Sequence, residues 1–274
     1  MDDLLMNPEI ATALKAAEAG AAILRNKFTN LDSISSQNKK ATEEDNGYQG
    51  IVTEADLQSE SVIVDTIRAQ FPEHSFLAEE SNRDSVDSEH LWIIDPLDGT
   101  NNFANGIPHF AVSIAYYRNG TPECGVILDP CRHDLFLTQR NKGAWWNGKA
   151  ASVNQHQSLK QTMIAVGFYY DRGPMMRATL QAIEDFFGHD IHGIRRFGTA
   201  ALDLVQVGLG RFGAFFEYEL SPWDFAAARL FVEEAGGTIT DCVGNPLTLA
   251  KGSVLATNSI LHPVALSIVK RHLP

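Results

Sequence analysis

The apolar run Leu91-Trp92-Ile93-Ile94 gives way abruptly to Asp95-Pro96-Leu97-Asp98-Gly99-Thr100. Asp95 and Asp98, at i and i+3, converge on one point if the backbone turns between them. Oxygen-only ligands of this kind suit Mg²⁺, which takes near-octahedral coordination at ~2.0–2.1 Å and keeps several waters. The backbone N–H groups of Gly99 and Thr100, opening a short helix, are donors for a phosphate. The same D-x-x-D-G pattern also caps an ordinary turn, so these residues alone leave both readings open. Other chemistries find less support. Gly143 to Ala150 (G-A-W-W-N-G-K-A) lacks the Ser or Thr of a P-loop, and Asn147-Gly148 reads better as a hairpin turn. Gly208, Gly210 and Gly213 fit GxGxxG, but a helix precedes them and a strand follows, the reverse of the dinucleotide fingerprint. The nine histidines contain no HExxH, and Cys124, Cys131 and Cys242 lack zinc-ligand spacing.

The elements that must position these residues can be read from capping and periodicity. Asn7 caps a helix that opens with Pro8 and Glu9, and Ile10, Leu14, Ala17, Ala21, Leu24 and Phe28 form its apolar stripe. Residues 35–50 are polar and unpatterned, a loop that includes Lys39, Lys40, Glu43, Glu44 and Asp45. Thr53 with Asp56 resembles a capping box for a helix through Val64 and Ile67 that Pro72 stops. Strand-like runs follow at 91–94, 110–117, 125–128 and 134–138, with Asn119-Gly120 and Asn147-Gly148 as turns. The second half mixes strands at 163–168, 214–219 and 238–241 with helices at 174–187, 199–207 and 222–235. Ser221 and Pro222 put Asp224 at the third helical position, where acids are favoured in any case. Hairpin groups outnumber βαβ alternations, which fits layered sheets and helices in one contiguous α/β unit over residues 1–274.

The chain has 274 residues, 22 Lys+Arg and 34 Asp+Glu, a net charge of −12. An acidic excess argues against direct nucleic-acid binding, which clustered Lys and Arg provide. Three cysteines make no disulfide framework and fit a reducing compartment. Met1-Asp2-Asp3 lacks a signal-peptide pattern, and no apolar run approaches the ~18–20 residues of a membrane span. The expectation is a cytoplasmic protein with no membrane contact.

DPLDGTNNF at 95–103 resembles the signature of the inositol monophosphatase family of Mg²⁺-dependent, lithium-sensitive phosphatases. Trp223-Asp224-Phe225-Ala226-Ala227 with Glu233 to Gly237, LAEE at 77–80 and VTEAD at 52–56 repeat the resemblance in the family's order. It implies an α-β-α-β-α sandwich and hydrolysis of myo-inositol monophosphate by in-line attack of a metal-activated water. Two or three Mg²⁺ are implied: Glu79, Asp95 and the main-chain oxygen of Leu97 at the first, Asp98 and Asp224 at the second, Asp95 bridging. Thr100, polarised by Asp56, is implied to share the water with Glu79, and Gly99 and Thr100 to meet the phosphate. Glu217, with the loop Gly198-Thr199-Ala200, corresponds to the part that binds ring hydroxyls and favours a polyol phosphate over an adenosine bisphosphate. Asn101 stands where Thr is commoner and Ala78 where Gly is frequent, so fructose 1,6-bisphosphate and histidinol phosphate stay open. The resemblance also implies a homodimer, for which the sequence offers Trp145-Trp146 as apolar surface, and a mobile segment over the site at 36–50. Some bacterial relatives act in transcription through protein partners, so a partner in that machinery is a further expectation.

Overall fold

A computed structural model describes residues 6–30, 36–38, 51–81, 83–168 and 172–274. Asn7 accepts the Ile10 N–H at 2.9 Å and starts α1 (Pro8–Phe28). Most of the predicted stripe is buried, with Ala13, Ala16 and Gly20 added to it. Strand β1 (Ser36–Asn38) pairs antiparallel with β2 (Ile51–Thr53). This corrects the reading of 35–50 as loop throughout: backbone pairing with a β-rich partner overrides weak local propensity. Residues 39–50, with Lys39, Lys40, Glu43, Glu44 and Asp45, lie outside the described residues. Thr53 caps α2 (Glu54–Gln70), its N–H donating to Asp56 at 2.8 Å as the capping box requires.

The larger sheet runs in sequence order from β3 (Ser75–Ala78) through β4 (His90–Asp98), β5 (Ala111–Arg118), β6 (Thr121–Asp129), β7 (Asp134–Gln139) and β8 (Gly143–Trp146) to β9 (Lys149–Ala150). Only the β3–β4 pair is parallel. Asn119-Gly120 and Asn147-Gly148 take the paired positive φ of type I′ hairpins, 49° and 70° and then 47° and 78°. Between β4 and β5 stands the short helix α3 (Thr100–Ala104).

The smaller sheet has the order β11-β10-β12-β14-β13. Its strands are β10 (Met163–Val166), β11 (Gly193–Arg195), β12 (Ala214–Leu220), β13 (Thr238–Thr240) and β14 (Gly252–Thr257). Helices α4 (Pro174–Phe187), α5 (Ala200–Gly208), α6 (Pro222–Glu234) and α7 (His262–His272), with a short 3₁₀ turn at Leu159–Gln161, complete the described elements.

Three buried clusters show the layering. One joins α1 and α2 to one face of the large sheet through Ile10, Leu24, Ile67, Trp92 and Tyr116. A second joins the opposite face to α5, α6 and the small sheet through Ile93, Tyr117, Val205, Phe231 and Phe215. The third packs α4 and α7 on the outside through Phe186, Ile268 and Phe216. The order is therefore α-β-α-β-α, the sandwich expected, with α5 and α6 between the sheets. Trp145 and Trp146 are not a free apolar surface. They pack half-buried on the two core clusters, and their indole N–H groups donate to Lys142 O and Asp134. Among the described residues no helix is long and apolar enough to cross a membrane.

Candidate active site

Strand β4 does not stop at Asp95, as its apolar run suggested, but continues to Asp98 through an irregularity. Asp95 pairs with Ser113 and Asp98 with Ala111, three steps on one strand against two on the other. In a regular strand i and i+3 face opposite sides; the one extra residue reverses this and turns both carboxylates the same way. The peptide beyond is held by Ser59, whose hydroxyl donates to Pro96 O at 2.9 Å, and by Leu97 N–H donating to Asp95 at 3.0 Å. Gly99 then adopts φ +99°, a left-handed turn that a side chain would strain, and α3 begins.

Helix α2 carries the supports on one face. Asp56 accepts the Thr100 hydroxyl at 2.9 Å while its other oxygen takes the Thr53 N–H and hydroxyl at 2.8 and 2.6 Å. Glu60, four residues on, accepts Glu80 N–H at 2.7 Å and Ser81 N–H at 2.9 Å, fixing the segment that carries Glu79. The Arg83 guanidinium donates to Glu79 O and lies 4.4 Å over the Trp223 ring.

The middle helices close the arrangement with their N-termini. At α5, Ala200 N–H and Ala201 N–H donate to Asp98 at 3.2 and 2.7 Å, in the positive end of the helix dipole. At α6, Asp224 accepts the Ser221 N–H at 2.7 Å, so the cap and the functional candidate are one residue. Asn102 ties the intervening loop down by donating to His109 O at 2.9 Å and Phe197 O at 2.7 Å. On β12, Tyr218 turns away to donate to Val269 O at 2.8 Å, and Glu217 faces the other side. Gly167 makes room for it, since a Cβ there would stand 1.7 Å from Glu217 Oε2.

These groups meet around one cavity of about 280 Å³. Glu79, Asp95, Leu97, Asp98, Gly99, Thr100, Gly198, Thr199, Ala200, Glu217 and Asp224, all expected from sequence, line it. Asp56 stands behind Thr100. Sequence reasoning missed Arg83, Phe168, Arg196, Asp203, Glu219 and Lys251 in the same wall. Two had a signal: Asp203 follows Thr199 by one helical turn, and Glu219 follows Glu217 at strand spacing. Lys251 is paired with Glu219 at 2.5 Å.

The wall is electrostatically uncomfortable. Burial, then the charges of Glu79, Asp98 and Asp224, hold Asp95 well above the usual carboxylate range. Burial and Asp224 do the same to Asp98, against the pull of the Ala201 N–H. Glu217 is raised by burial and by Asp224, and Asp56 is pushed up to about 6 by burial, opposed by its bond to the Thr53 hydroxyl. Among the described residues no three acids stand in ready-made coordination geometry. They share a wall and a field, and the field asks for a cation.

The sequence pattern of the inositol monophosphatase family matches residues 6–273. A relative from Pseudomonas aeruginosa, Nus factor SuhB, is 37% identical over 274 residues, covering 98% of each chain. The extragenic suppressor protein suhB of Bartonella henselae superposes with a TM-score of 0.86 at 34% identity, covering 95% of this chain and 98% of that one. An inositol monophosphatase from Anabaena (Nostoc) does so with a TM-score of 0.82 at 36% identity, covering 98% and 97%.

Proposed function

The chain belongs to the inositol monophosphatase family, and on that premise we propose that it is a Mg²⁺-dependent phosphomonoesterase acting on myo-inositol monophosphates. One observation carries the reading: Glu79, Asp95, Asp98 and Asp224, from separated stretches of chain, share one cavity wall and at Asp95 and Asp98 oppose each other's ionisation. The donor set suits the ion, being carboxylates and the Leu97 carbonyl with neither sulfur nor imidazole. Glu79, Asp95 and Leu97 O would hold one Mg²⁺, and Asp95, Asp98 and Asp224 another. When bound, Mg²⁺ supplies Lewis-acid polarisation of the phosphate and lowers the pKa of water.

The chain's own residues do the rest. Thr100 commits its hydroxyl proton to Asp56 at 2.9 Å or to Leu97 O at 3.1 Å, so an Oγ1 lone pair is left to accept from the attacking water. Glu79 takes the water's other hydrogen and sets its line of approach. The N–H groups of Gly99 and Thr100, at the start of α3, receive the phosphate oxygens. Glu217 and the loop at Gly198 and Thr199 receive ring hydroxyls; Ala200, whose N–H is given to Asp98, meets the ring through its side chain. The reading takes residues 1–274 as a single cytoplasmic unit, forming a homodimer and inhibited by Li⁺.

Phosphate release from inositol, fructose, histidinol and adenosine phosphates, with and without Mg²⁺, tests it. Turnover should require Mg²⁺ and favour the inositol ester, and Asp95→Asn should lower kcat about a thousandfold or more. Equal release by wild type and Asp95→Asn would sink the reading. Preference for a fructose or histidinol ester would instead move the protein to a related phosphatase of the same fold.

A second role has its own support in the name of the Pseudomonas relative, Nus factor SuhB. We propose a protein partner in the transcription machinery that binds independently of catalysis. Asp95→Asn protein should then still capture that partner from lysate, with RNA polymerase and ribosomal proteins followed by blotting.

A further inference from the structure

Asp203 is 1% exposed, yet its Oδ1 is buried without a hydrogen-bond partner. Carboxylate oxygens are seldom left so, because an unmade bond in the interior costs the whole desolvation of the group. Asp203 sits in the first turn of α5 and lines the same cavity as Glu217 and the metal-facing acids. Arg196, an exposed residue, lines the same cavity. The Arg196 guanidinium lies against Gly198, where an added Cβ would stand 2.4 Å from Nη1. Among the described residues it takes part in no hydrogen bond or ion pair. The two groups feel one another, since burial drives Asp203 up while Arg196 and a bond from the Phe197 backbone draw it down. They do not touch.

We propose that Asp203 and Arg196 form a hydroxyl-reading pair in the cavity wall, bridged by a hydroxyl of a polyol phosphate remote from its ester. A hydroxyl is both donor and acceptor, so it can give its proton to Asp203 Oδ1 while accepting from the guanidinium. A phosphate or carboxylate, having no proton to give, would satisfy only Arg196 and leave Asp203 Oδ1 without a donor. A methylene would satisfy neither. Oδ1 lies under the cavity surface, and Arg196, an exposed side chain with no hydrogen bond or ion pair among the described residues, can reorient on the ps–ns scale. Asp203 and Arg196 are thus specificity residues for the proposed phosphatase reaction, and this inference rests on that reading.

The test compares myo-inositol 1-phosphate with phenyl phosphate, which has no ring hydroxyl, in wild type, Asp203→Asn, Arg196→Gln and the double variant. The quantity read is the ratio of kcat/KM for the inositol ester over that for the phenyl ester. Each single variant should lower this ratio at least tenfold, mainly through KM for the inositol ester, and the double variant should lower it no further than the stronger single one. A merely structural role would reduce both substrates together and leave the ratio in place. If either single variant keeps the wild-type ratio while wild type prefers the inositol ester, the pair is overturned and the phosphatase reading stands. Wild type that ignores the inositol ester would overturn both. Asp203→Asn is isosteric; should it fail to fold, Arg196→Gln, a surface change, decides by the same ratio.

Discussion

At the Thr100 hydroxyl a single proton has two acceptors, Asp56 and Leu97 O, and no reason to point into the cavity. Replacing Thr100 with Val removes the lone pair that would receive the water. It should lower kcat about a hundredfold with KM little changed, while Ser retains most activity; steady-state kinetics on the three forms decides this. The buried acids make a second prediction. Asp95, Asp98, Asp203 and Glu217 are all raised above their ordinary values of 3.8 and 4.5 in the folded chain. The folded state therefore holds more protons than the unfolded one just above those values, and stability falls as pH rises through the window. With divalent ions chelated, Tm should drop between about pH 5 and about pH 7.5, and saturating Mg²⁺ should raise Tm more at the higher pH. A larger gain at pH 5 in calorimetry would contradict it. Motif residues such as Asp95 and Asp224 were legible in sequence because their roles are written into short local strings. Arg196 was not, because its meaning shows only when a loop brings it to the same wall, and Asp203 offered no more than its one-turn spacing from Thr199.

Helix α2 works as a bracket. Asp56, Ser59 and Glu60 fall at helical spacing on one side and grip Thr100, Pro96 and the Glu80–Ser81 backbone. Sequence reading saw the capping box and so Asp56, but Ser59 and Glu60 look like ordinary surface residues of a charged helix; burial alone marks them, at 0% and 1% exposed. Glu60→Gln weakens one of its two backbone clamps and should reduce Mg²⁺ affinity roughly tenfold through Glu79 with the fold intact, read by Mg²⁺ titration of activity beside circular dichroism. The strand irregularity in β4 is the counterpart. The apolar run predicted the strand, whereas the extra residue at 95–98 is a pairing fact that needs β5 in place. For the same reason β11 and β14 escaped the sequence reading: one is added to an edge and the other to the interior of the small sheet by partners far along the chain.

Across the molecule, the net charge of −12 resolves into a site and a surface. Six of the expected acids stand at or behind one cavity, and what excluded nucleic acid at the outset becomes the reason a cation is wanted there. The layers holding that cavity meet at α6, where Phe231 is 1% exposed and packs edge-on to Phe136 at 5.8 Å. Phe231→Ala should cost about 3–5 kcal/mol of stability, measured by urea unfolding, and leave KM unchanged at temperatures where the chain stays folded. The bonds from the α5 N-terminus to Asp98 have a kinetic consequence. They close over 102 and 103 residues of sequence, and Thr100 to Asp56 over a further 44. Helices form in microseconds and loops of that length close late. In a refolding experiment, ellipticity should recover first and turnover only after the two sheets have docked, so catalysis becomes the clock for the last event in folding.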